Sequence, residues 1–317
     1  MTKLTIVVPC FNEEGSLHYY YQETTAVLKQ NALIDDYEIL FVDDGSKDST
    51  LDILKSLAGE DPKVKYLSFS RNFGKEAALL AGFKNASGDY VVSMDADMQD
   101  PPSLLPKMLE ILQEGNYDSV AAWRSDRQGE SKVRSWFARR FYKVINRISD
   151  TEIKEGARDY RMMKREMVDA IISLCEYNRF TKGIYSWVGF KTYWLSFENV
   201  ERYAGKTKWS FWGLFRYGVD GIVSFSQAPL SAASWMGLVL TVVSVIALIF
   251  IIVRKLLFGD PVAGWASTMC VIVFLGGIQL SVLGIIGQYI AKMYLEVKKR
   301  PHYIIAETNR PDTKKTG

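Results

Sequence analysis

The chain of 317 residues is 48% hydrophobic and carries 39 basic against 36 acidic side chains, a formal net charge of +3. It is too apolar and too evenly charged to be intrinsically disordered, and it is long enough for one large domain and a further segment. The balanced charge gives no support for nucleic-acid binding. Cys10, Cys175 and Cys270 lie far apart without a CxxC pair, which argues against a zinc site and against a disulfide framework.

From the N-terminus onward, short β-branched runs alternate with amphipathic segments, which is typical of an α/β domain with a mainly parallel sheet. The predicted strands are residues 4–8, 38–42, 64–68, 90–94 and 119–122, and the predicted helices are 14–31, 49–57, 75–85 and 102–114. The first residues lack the apolar stretch of a signal peptide, so we expect this domain, residues 1–205, to lie in the cytosol. Ligands of such sheets bind at the carboxyl ends of the strands.

Polar residues follow the first two predicted strands. Pro9, Asn12 and Glu13 lie at the end of the first, and Asp43 and Asp44 at the end of the second. Their oxygens can accept hydrogen bonds from a base and a ribose. A turn followed by a helix cap explains the acidic pair equally well. The sequence has neither the dinucleotide-binding glycine pattern nor a P-loop, so neither explains a nucleotide site.

Two carboxylates, Asp95 and Asp97, leave the fourth predicted strand. Carboxylates at the end of a buried strand are costly unless something positive compensates them. Oxygen ligands without a neighbouring His or Cys favour Mg²⁺ or Mn²⁺, and such an ion would neutralise a departing nucleoside diphosphate. Asp-x-Asp alone also occurs in solvated turns, but its place after a buried strand favours a metal and diphosphate site.

Two uncharged apolar stretches, residues 230–253 and 265–290, each exceed the roughly 20 residues that cross a bilayer. A buried core helix is the alternative to a transmembrane hairpin. A hairpin would return the basic tail, residues 291–317, to the cytosol, as the positive-inside rule favours. The aromatic segment 206–229 is expected to lie flat on the bilayer or to pack on the first domain.

Four motifs together resemble those of the family 2 glycosyltransferases, and more narrowly of the polyprenyl-phosphate glycosyltransferases. They are DDGSKDST at 43–50, SRNFGKE at 70–76, GDY at 88–90 and DADMQDPP at 95–102. The resemblance covers essentially the whole chain. It implies a GT-A, Rossmann-like α/β domain followed by a two-helix transmembrane hairpin. The implied reaction is inverting transfer of a sugar from a nucleotide diphosphate sugar to a polyprenyl phosphate, such as undecaprenyl phosphate, for cell-envelope glycans.

The resemblance also implies roles for individual residues. Mg²⁺ or Mn²⁺ would be bound by Asp95, Asp97 and Gln99, and the candidate catalytic residues are Asp97 and Asp159. The nucleotide sugar would contact Pro9, Asn12, Glu13, Asp43, Asp44, Arg71, Lys75 and Asp95. The acceptor phosphate would contact Arg124, Arg139 and Arg161, and the nearby Arg127, Arg134 and Arg140 leave that assignment open.

Asp159 lies in residues 156–161, which resemble the family's second acceptor-side loop. A phosphomonoester is mostly dianionic at neutral pH and needs little deprotonation. We therefore expect Asp159 to orient groups or to balance Arg124 and Arg161 rather than to accept a proton. A purely structural ion pair with a neighbouring arginine is the alternative.

The motifs do not specify the sugar, and we expect UDP-glucose first and UDP-N-acetylglucosamine second. The alternatives are a transferase for a diacylglycerol or polysaccharide acceptor, or a catalytically inactive membrane scaffold with a transferase fold. A stripe of Gly277, Ser281, Gly284 and Gln288 predicts close helix contact, either within the hairpin or in a homo-oligomer. The expected location is the cytoplasmic membrane, as a multi-pass protein.

Overall fold

The computed structural model describes residues 2–124, 157–174, 176–197, 228–258 and 264–310. Its strands are β1 (Lys3–Cys10), β2 (Asp36–Asp43), β3 (Val64–Phe69), β4 (Tyr90–Ser93), β5 (Ser119–Arg124), β6 (Ala157–Lys164), β7 (Thr192–Phe197) and β8 (Ile305–Thr308). They form one sheet in the order β7-β5-β6-β4-β1-β2-β3-β8. All of them except β6 and β8 run in the same direction, which confirms the predicted mainly parallel sheet.

Helices cover both faces of the sheet. They are α1 (Leu17–Gln30), α2 (Thr50–Glu60), α3 (Lys75–Asn85), α4 (Leu105–Gln113, after a 3-10 turn at Pro102–Leu104), α5 (Arg165–Ser173), α6 (Thr181–Trp187), α7 (Ala228–Phe258) and α8 (Trp265–Lys298). The apolar sides of α1, α2 and α4 pack on one face, and those of α3, α5 and α6 on the other. Because side chains alternate along a strand, Ile6 joins the first layer and Val7 the second.

The strand register gathers several loops at one edge of the sheet. Cys10 lies opposite Asp43 at the ends of β1 and β2, and β4, on the other side of β1, ends at Ser93. Since these strands are parallel, the loops that follow them leave from the same edge. Strand β6 runs in the opposite direction with Arg161 beside Ser93. The start of β6, which carries Asp159, therefore lies at this edge as well.

The expectation of a loop at residues 156–161 is wrong for its described part, because Ala157–Lys164 is strand β6 between β4 and β5. This strand is buried on both faces: Tyr160 and Met162 pack in one layer, and Met163 in the other. A strand covered on both faces lacks the alternation of polar and apolar residues that reveals a half-exposed strand.

Of the predicted basic tail, residues 291–317, the structure describes residues 291–310. Helix α8 continues to Lys298, and β8 then pairs antiparallel with β3 at the edge of the sheet. Tyr303 and Ile305 are buried, and the Tyr303 ring stacks on Phe69 with ring centroids 5.2 Å apart. The C-terminal end of α8 is therefore attached to the N-terminal domain, on the side that a hairpin predicts.

Helices α7 and α8 are long and apolar enough to cross a membrane, over the windows Leu230–Ala247 and Phe274–Lys298. They contact each other, and many of their apolar side chains are exposed, as at Phe250 (64%) and Leu280 (71%). These helices contain the predicted spans and fit a hairpin. At 34 residues α8 is longer than the roughly 20 residues that a bilayer core requires. Of the predicted interfacial segment, residues 206–227 lie outside the described residues.

Candidate active site

Lys75 bridges two carboxylates at the edge where β4 ends and β6 begins. Its Nζ lies 2.7 Å from Oδ1 of Asp95 and 2.8 Å from Oδ2 of Asp159. Lys75 is the first residue of α3, directly after Gly74. The side chains are partly exposed, by 42% for Lys75, 34% for Asp95 and 19% for Asp159. A cation and two anions thus meet where solvent or a ligand can reach them.

The charges in this cluster fix one another's ionisation. Desolvation opposes the charged form of each group, but attraction to Asp159 and Asp95 raises the pKa of Lys75 well above its usual range. In the same way, burial is outweighed by the charges of Lys75 and then Lys182, which hold the pKa of Asp159 far below its usual value. Asp159 is therefore a carboxylate throughout the physiological pH range, which suits an orienting role better than that of a proton acceptor.

A second ion pair fixes the loop that follows Asp95. Asp100 is buried, its Oδ1 accepts a hydrogen bond from Arg158 at 2.8 Å, and its Oδ2 accepts the Asp95 N–H at 3.1 Å. Burial and then the charge of Asp95 raise the pKa of Asp100 to about 6 despite Arg158. Neither role was predicted from the sequence. Asp100 stands in a quoted motif and Arg158 beside Asp159, but nothing local indicates that they pair.

Asp95 and Asp97 fit the predicted divalent cation. Both are partly exposed, and Oδ1 of Asp97 accepts the Gln99 N–H at 3.1 Å. Two carboxylates supplemented by phosphate and water oxygens form a donor set that Mg²⁺ commonly uses. In the described part of the chain no group of three or more His, Cys, Asp and Glu side chains could hold an ion. The further ligands would therefore be other oxygens, such as those of substrate phosphates and water. Oε1 of Gln99 accepts a hydrogen bond from Arg158 at 3.2 Å, and its role as a metal ligand stays a prediction.

The loops after β1 and β2 hold each other through Asn12. Asn12 adopts a left-handed backbone with φ of 54°, its N–H donates to Ser46 Oγ at 2.9 Å, and its Oδ1 accepts the Lys47 N–H at 2.9 Å. Asn tolerates this conformation better than most residues. Pro9 and Glu13 are partly buried beside it. The structure thus brings these predicted nucleotide contacts together at the edge of the sheet.

Asp43 and Asp44 are buried and stabilise the loops themselves. Asp43 accepts the Ser46 N–H at 3.0 Å and the Ser68 hydroxyl at 2.7 Å. Asp44 accepts the Phe73 N–H at 2.6 Å, and desolvation raises the pKa of Asp44 to about 6. The turn interpretation of this acidic pair therefore has direct structural support, and a nucleoside contact stays a prediction.

Arg71 lies on the surface beside these loops. Its guanidinium stacks over Phe73 at 4.0 Å and donates to the Asn72 carbonyl at 3.0 Å. Its main chain packs against Gly45, where an added Cβ would lie 2.5 Å from the Arg71 carbonyl carbon. The predicted contact between Arg71 and the nucleotide sugar stays a prediction.

The arginines predicted to bind the acceptor phosphate do not come together in the described residues. Arg161 is 4% exposed and lies inside the domain, where it donates to Ser119 Oγ and Thr192 Oγ1 at 3.0 Å each. Its guanidinium lies over the ring of Tyr185. This buried position does not support a contact with an acceptor phosphate. Outside the described residues lie the side chain of Arg124 and the whole of Arg127, Arg134, Arg139 and Arg140.

Known proteins are similar to this sequence along nearly its whole length. The family profile described as "Glycosyl transferase family 2" matches residues 5–172. The putative glycosyltransferase CsbB of Bacillus subtilis is 44% identical over 309 residues, which cover 98% of this chain and 93% of the relative. The chain belongs to glycosyl transferase family 2. A prophage-derived bactoprenol glucosyl transferase of Shigella flexneri is 43% identical over 308 residues, which cover 97% of this chain and 99% of the relative.

A solved structure also resembles this family 2 glycosyltransferase. Glucosyl-3-phosphoglycerate synthase of Mycobacterium tuberculosis, in complex with Mn²⁺, UDP-glucose and phosphoglyceric acid, aligns with a TM-score of 0.46 and 18% identity. The alignment covers 70% of this chain and 78% of that one. The predicted family, enzyme class and GT-A fold are confirmed by the family match together with the observed sheet.

Proposed function

We propose that this family 2 glycosyltransferase transfers a sugar from a nucleoside diphosphate sugar to a polyprenyl phosphate at the cytosolic face of the cytoplasmic membrane. UDP-glucose is the first candidate donor, and UDP-N-acetylglucosamine is the second. Relatives named bactoprenol glucosyl transferase, which align over 97% of this chain, support a polyprenyl phosphate acceptor. The assembly of this chain into a homo-oligomer also remains a prediction.

The arrangement of Lys75, Asp95 and Asp159 is the observation that carries this proposal. It places a cation between two carboxylates from different parts of the chain, at the edge where the loops after β1 and β2 also lie. A site that separates a sugar from a diphosphate must balance the charge that develops on the leaving group. Preorganised charged groups do so without reorganising during the reaction.

In the proposed reaction an oxygen of the acceptor phosphate forms a bond to the anomeric carbon. The bond from that carbon to the diphosphate oxygen breaks, and the diphosphate leaves with the electron pair, which inverts the anomeric centre. The dianionic acceptor need not lose a proton, so Asp159 serves as a fixed carboxylate. A bound Mg²⁺ or Mn²⁺, held by Asp95 and Asp97, would neutralise the departing diphosphate.

The attachment of β8 to the sheet supports an acceptor that is embedded in the membrane. Helix α8 ends at Lys298 and β8 begins at Ile305, so a short link joins an apolar helix to the catalytic sheet. This link would hold the domain close to the bilayer, where the phosphate of a polyprenyl lipid would lie. Proximity of two reactants is a large kinetic factor.

The proposal is tested with the purified full chain in vesicles that contain undecaprenyl phosphate. Labelled UDP-glucose or UDP-N-acetylglucosamine is added with Mg²⁺, with Mn²⁺ or with a chelator, and label in the organic extract is counted. We expect metal-dependent label in a lipid product. Asp97→Asn should abolish transfer while the chain stays folded, and the exposed Asp52→Asn on α2 is the matched control.

Three outcomes would contradict the proposal. Label that reaches diacylglycerol or a polysaccharide in parallel assays that offer those acceptors, but does not reach the polyprenyl phosphate, would indicate a different acceptor. Equal rates of transfer by wild type and Asp97→Asn would contradict the proposed metal site. An absence of lipid-linked product with every donor and both metals would favour the inactive scaffold.

A further inference from the structure

The C-terminal end of α8 is docked onto the catalytic domain by Glu296. Its carboxylate accepts hydrogen bonds from three donors in the segment before α6: the Tyr177 N–H at 2.8 Å, the Asn178 N–H at 3.1 Å and Asn178 Nδ2 at 3.2 Å. One carboxylate on an apolar helix thus fixes two consecutive main-chain amides of the enzyme. Hydrogen bonds to a charged acceptor are stronger than those between neutral groups.

The residues after α8 hold the same segment from a second side. The His302 ring stacks on Tyr177 with centroids 5.6 Å apart, and its Nε2 lies 3.0 Å from the Glu176 carbonyl oxygen. Tyr303 follows directly and is buried against the sheet. Residues 176–178 are therefore held by the end of α8 and by His302, in the link between α8 and β8.

This segment leads directly to the Lys75 cluster. Shortly after Asn178, Thr181 begins α6, and both its N–H, at 2.9 Å, and its hydroxyl donate to Oε2 of Glu76. Glu76 follows Lys75 in the first turn of α3, and Lys75 bridges Asp95 and Asp159. Hydrogen bonds and short chain segments therefore connect the end of the apolar helix to the candidate active site without interruption.

We propose that Glu296 is a positioning residue for the transferase. By docking α8 on residues 177–178 it fixes the positions of Thr181 and Glu76, and through these two residues it fixes the position of the Lys75 side chain. The inference rests on the proposed function, because it assumes that the Lys75 cluster acts in transfer. Among the described residues, the Glu296 carboxylate is hydrogen-bonded to Tyr177 and Asn178 and not to the Lys75 cluster, so we infer that it acts through this segment. The consequence is that the transferase is fully assembled only when the end of α8 is docked.

Hydrogen exchange provides a test that does not depend on activity. In the full chain in vesicles, Glu296→Ala should speed exchange at the amides of Tyr177 and Asn178, which lose their acceptor. Exchange at Thr181 should become faster as well, although its own acceptor, Glu76, is intact. Glu23→Ala, at an exposed position on α1, is the matched control and should leave all three amides unchanged. Unchanged protection at Thr181 would overturn the inference.

Kinetics provide the second arm. With saturating undecaprenyl phosphate and a varied concentration of UDP-sugar, we expect Glu296→Ala to lower kcat about fivefold with little change in the KM of the donor. The thermal unfolding midpoint separates this effect from loss of folded protein. A kcat of Glu296→Ala within twofold of wild type would overturn this inference but not the proposed function. An inactive wild type would instead contradict the proposed function. Should Glu296→Ala not fold, Glu296→Gln replaces the charged acceptor by a neutral one and is expected to act in the same direction, and unchanged exchange at Tyr177, Asn178 and Thr181 together with an unchanged kcat would have the same meaning.

A double-mutant cycle tests whether the contacts act as one unit. Thr181→Val removes the hydroxyl that donates to Glu76. If Glu296 acts through Thr181, the double variant should be about as slow as the slower single variant. If the fold-loss of kcat in the double variant equals the product of the two single fold-losses, the two residues act independently, which would contradict the inference.

Discussion

Lys75 lies between carboxylates from two distant parts of the chain, and this placement depends on tertiary structure. The motifs predicted Asp95 and Asp159 as site residues and Lys75 as a contact of the nucleotide sugar. The bridge itself could not be predicted, because it requires β6 to lie beside β4. Since β6 is buried on both faces, its sequence does not show the alternation from which a strand, and hence this neighbour, is recognised.

Arg161 is a second case in which the sequence could not predict the position of a side chain. The motifs suggested a contact with the acceptor phosphate, whereas strand β6 places Arg161 in the core of the domain. We predict that Arg161→Lys lowers the free energy of unfolding by about 1–3 kcal/mol, because the hydrogen bonds to Ser119 and Thr192 are lost or distorted. Thermal unfolding of the full chain checks this. The KM for undecaprenyl phosphate should stay unchanged.

The opposite result would restore the acceptor role of Arg161. A tenfold or larger increase in that KM, with an unchanged unfolding midpoint, would mean that the guanidinium contacts the acceptor in a conformation other than the one described.

At the scale of elements, the five strands predicted for the first half of the chain are confirmed as β1–β5. Their β-branched runs alternate with helices whose apolar residues pack on the sheet, so local pattern and tertiary packing agree. Strand β8 could not be predicted, because it is only four residues long and pairs with β3, which lies far earlier in the chain. Local sequence contains no information about such a distant neighbour.

The turn after β2 depends on a glycine. Gly45 has φ of +66°, and a Cβ there would lie 2.5 Å from the Arg71 carbonyl carbon and 2.8 Å from the Asn72 nitrogen. We predict that Gly45→Ala lowers the free energy of unfolding by about 1–3 kcal/mol. It should also raise the KM for the UDP-sugar, because the loops that Asp43 and Asp44 hold would move apart. Thermal unfolding and donor titrations measure the two effects.

Two other glycines serve as controls for this prediction. Gly59 lies in α2 with no neighbour within 4 Å of an added Cβ, so Gly59→Ala should stabilise the chain. Gly115 has φ of +85° in open space, and Gly115→Ala should show the backbone cost without the change in KM. If Gly45→Ala leaves both stability and KM unchanged, the close packing of these loops has no role in donor binding.

Glu38 on β2 connects the N-terminal domain to the end of the described chain. It is buried, and its carboxylate accepts hydrogen bonds from Thr5, Ser87 and Arg310. Burial alone would raise the pKa of Glu38, but the hydrogen bonds from Ser87 and Thr5 and the charge of Arg310 outweigh it and lower that pKa below its ordinary value of 4.5.

A group whose pKa is lowered by folding stabilises the folded state above its unfolded pKa and loses that contribution as the pH falls through the folded pKa. We predict that Glu38→Gln lowers the free energy of unfolding by about 1–3 kcal/mol at pH 7. The difference from wild type should shrink below pH 4.5. Unfolding midpoints of wild type and Glu38→Gln across the acid range measure this difference. A difference that does not depend on pH would contradict the claim that Glu38 is ionised in the folded state.

At the scale of the whole molecule, the catalytic sheet and the apolar helix α8 form one connected structure. The chain leaves α8 at Lys298, and β8 extends the same sheet whose other strands carry the candidate site. The sequence predicted a domain, a hairpin and a basic tail, without a strand in that tail. The structure shows that the segment after the hairpin completes the domain, so the apolar helices and the enzyme cannot be separated without removing a strand.

The product of the full chain with UDP-glucose and undecaprenyl phosphate tests the central claim most directly. In UDP-glucose the sugar is α-linked to the diphosphate, so one inverting attack by the acceptor phosphate must give a β-linked sugar phosphate on the lipid. Phosphorus-coupled proton NMR of the purified lipid reports both the linkage and the anomeric configuration. We predict β-glucosyl phosphoryl undecaprenol, formed only with Mg²⁺ or Mn²⁺, whereas an α-linked product, or free glucose as the only product, would contradict the proposed reaction.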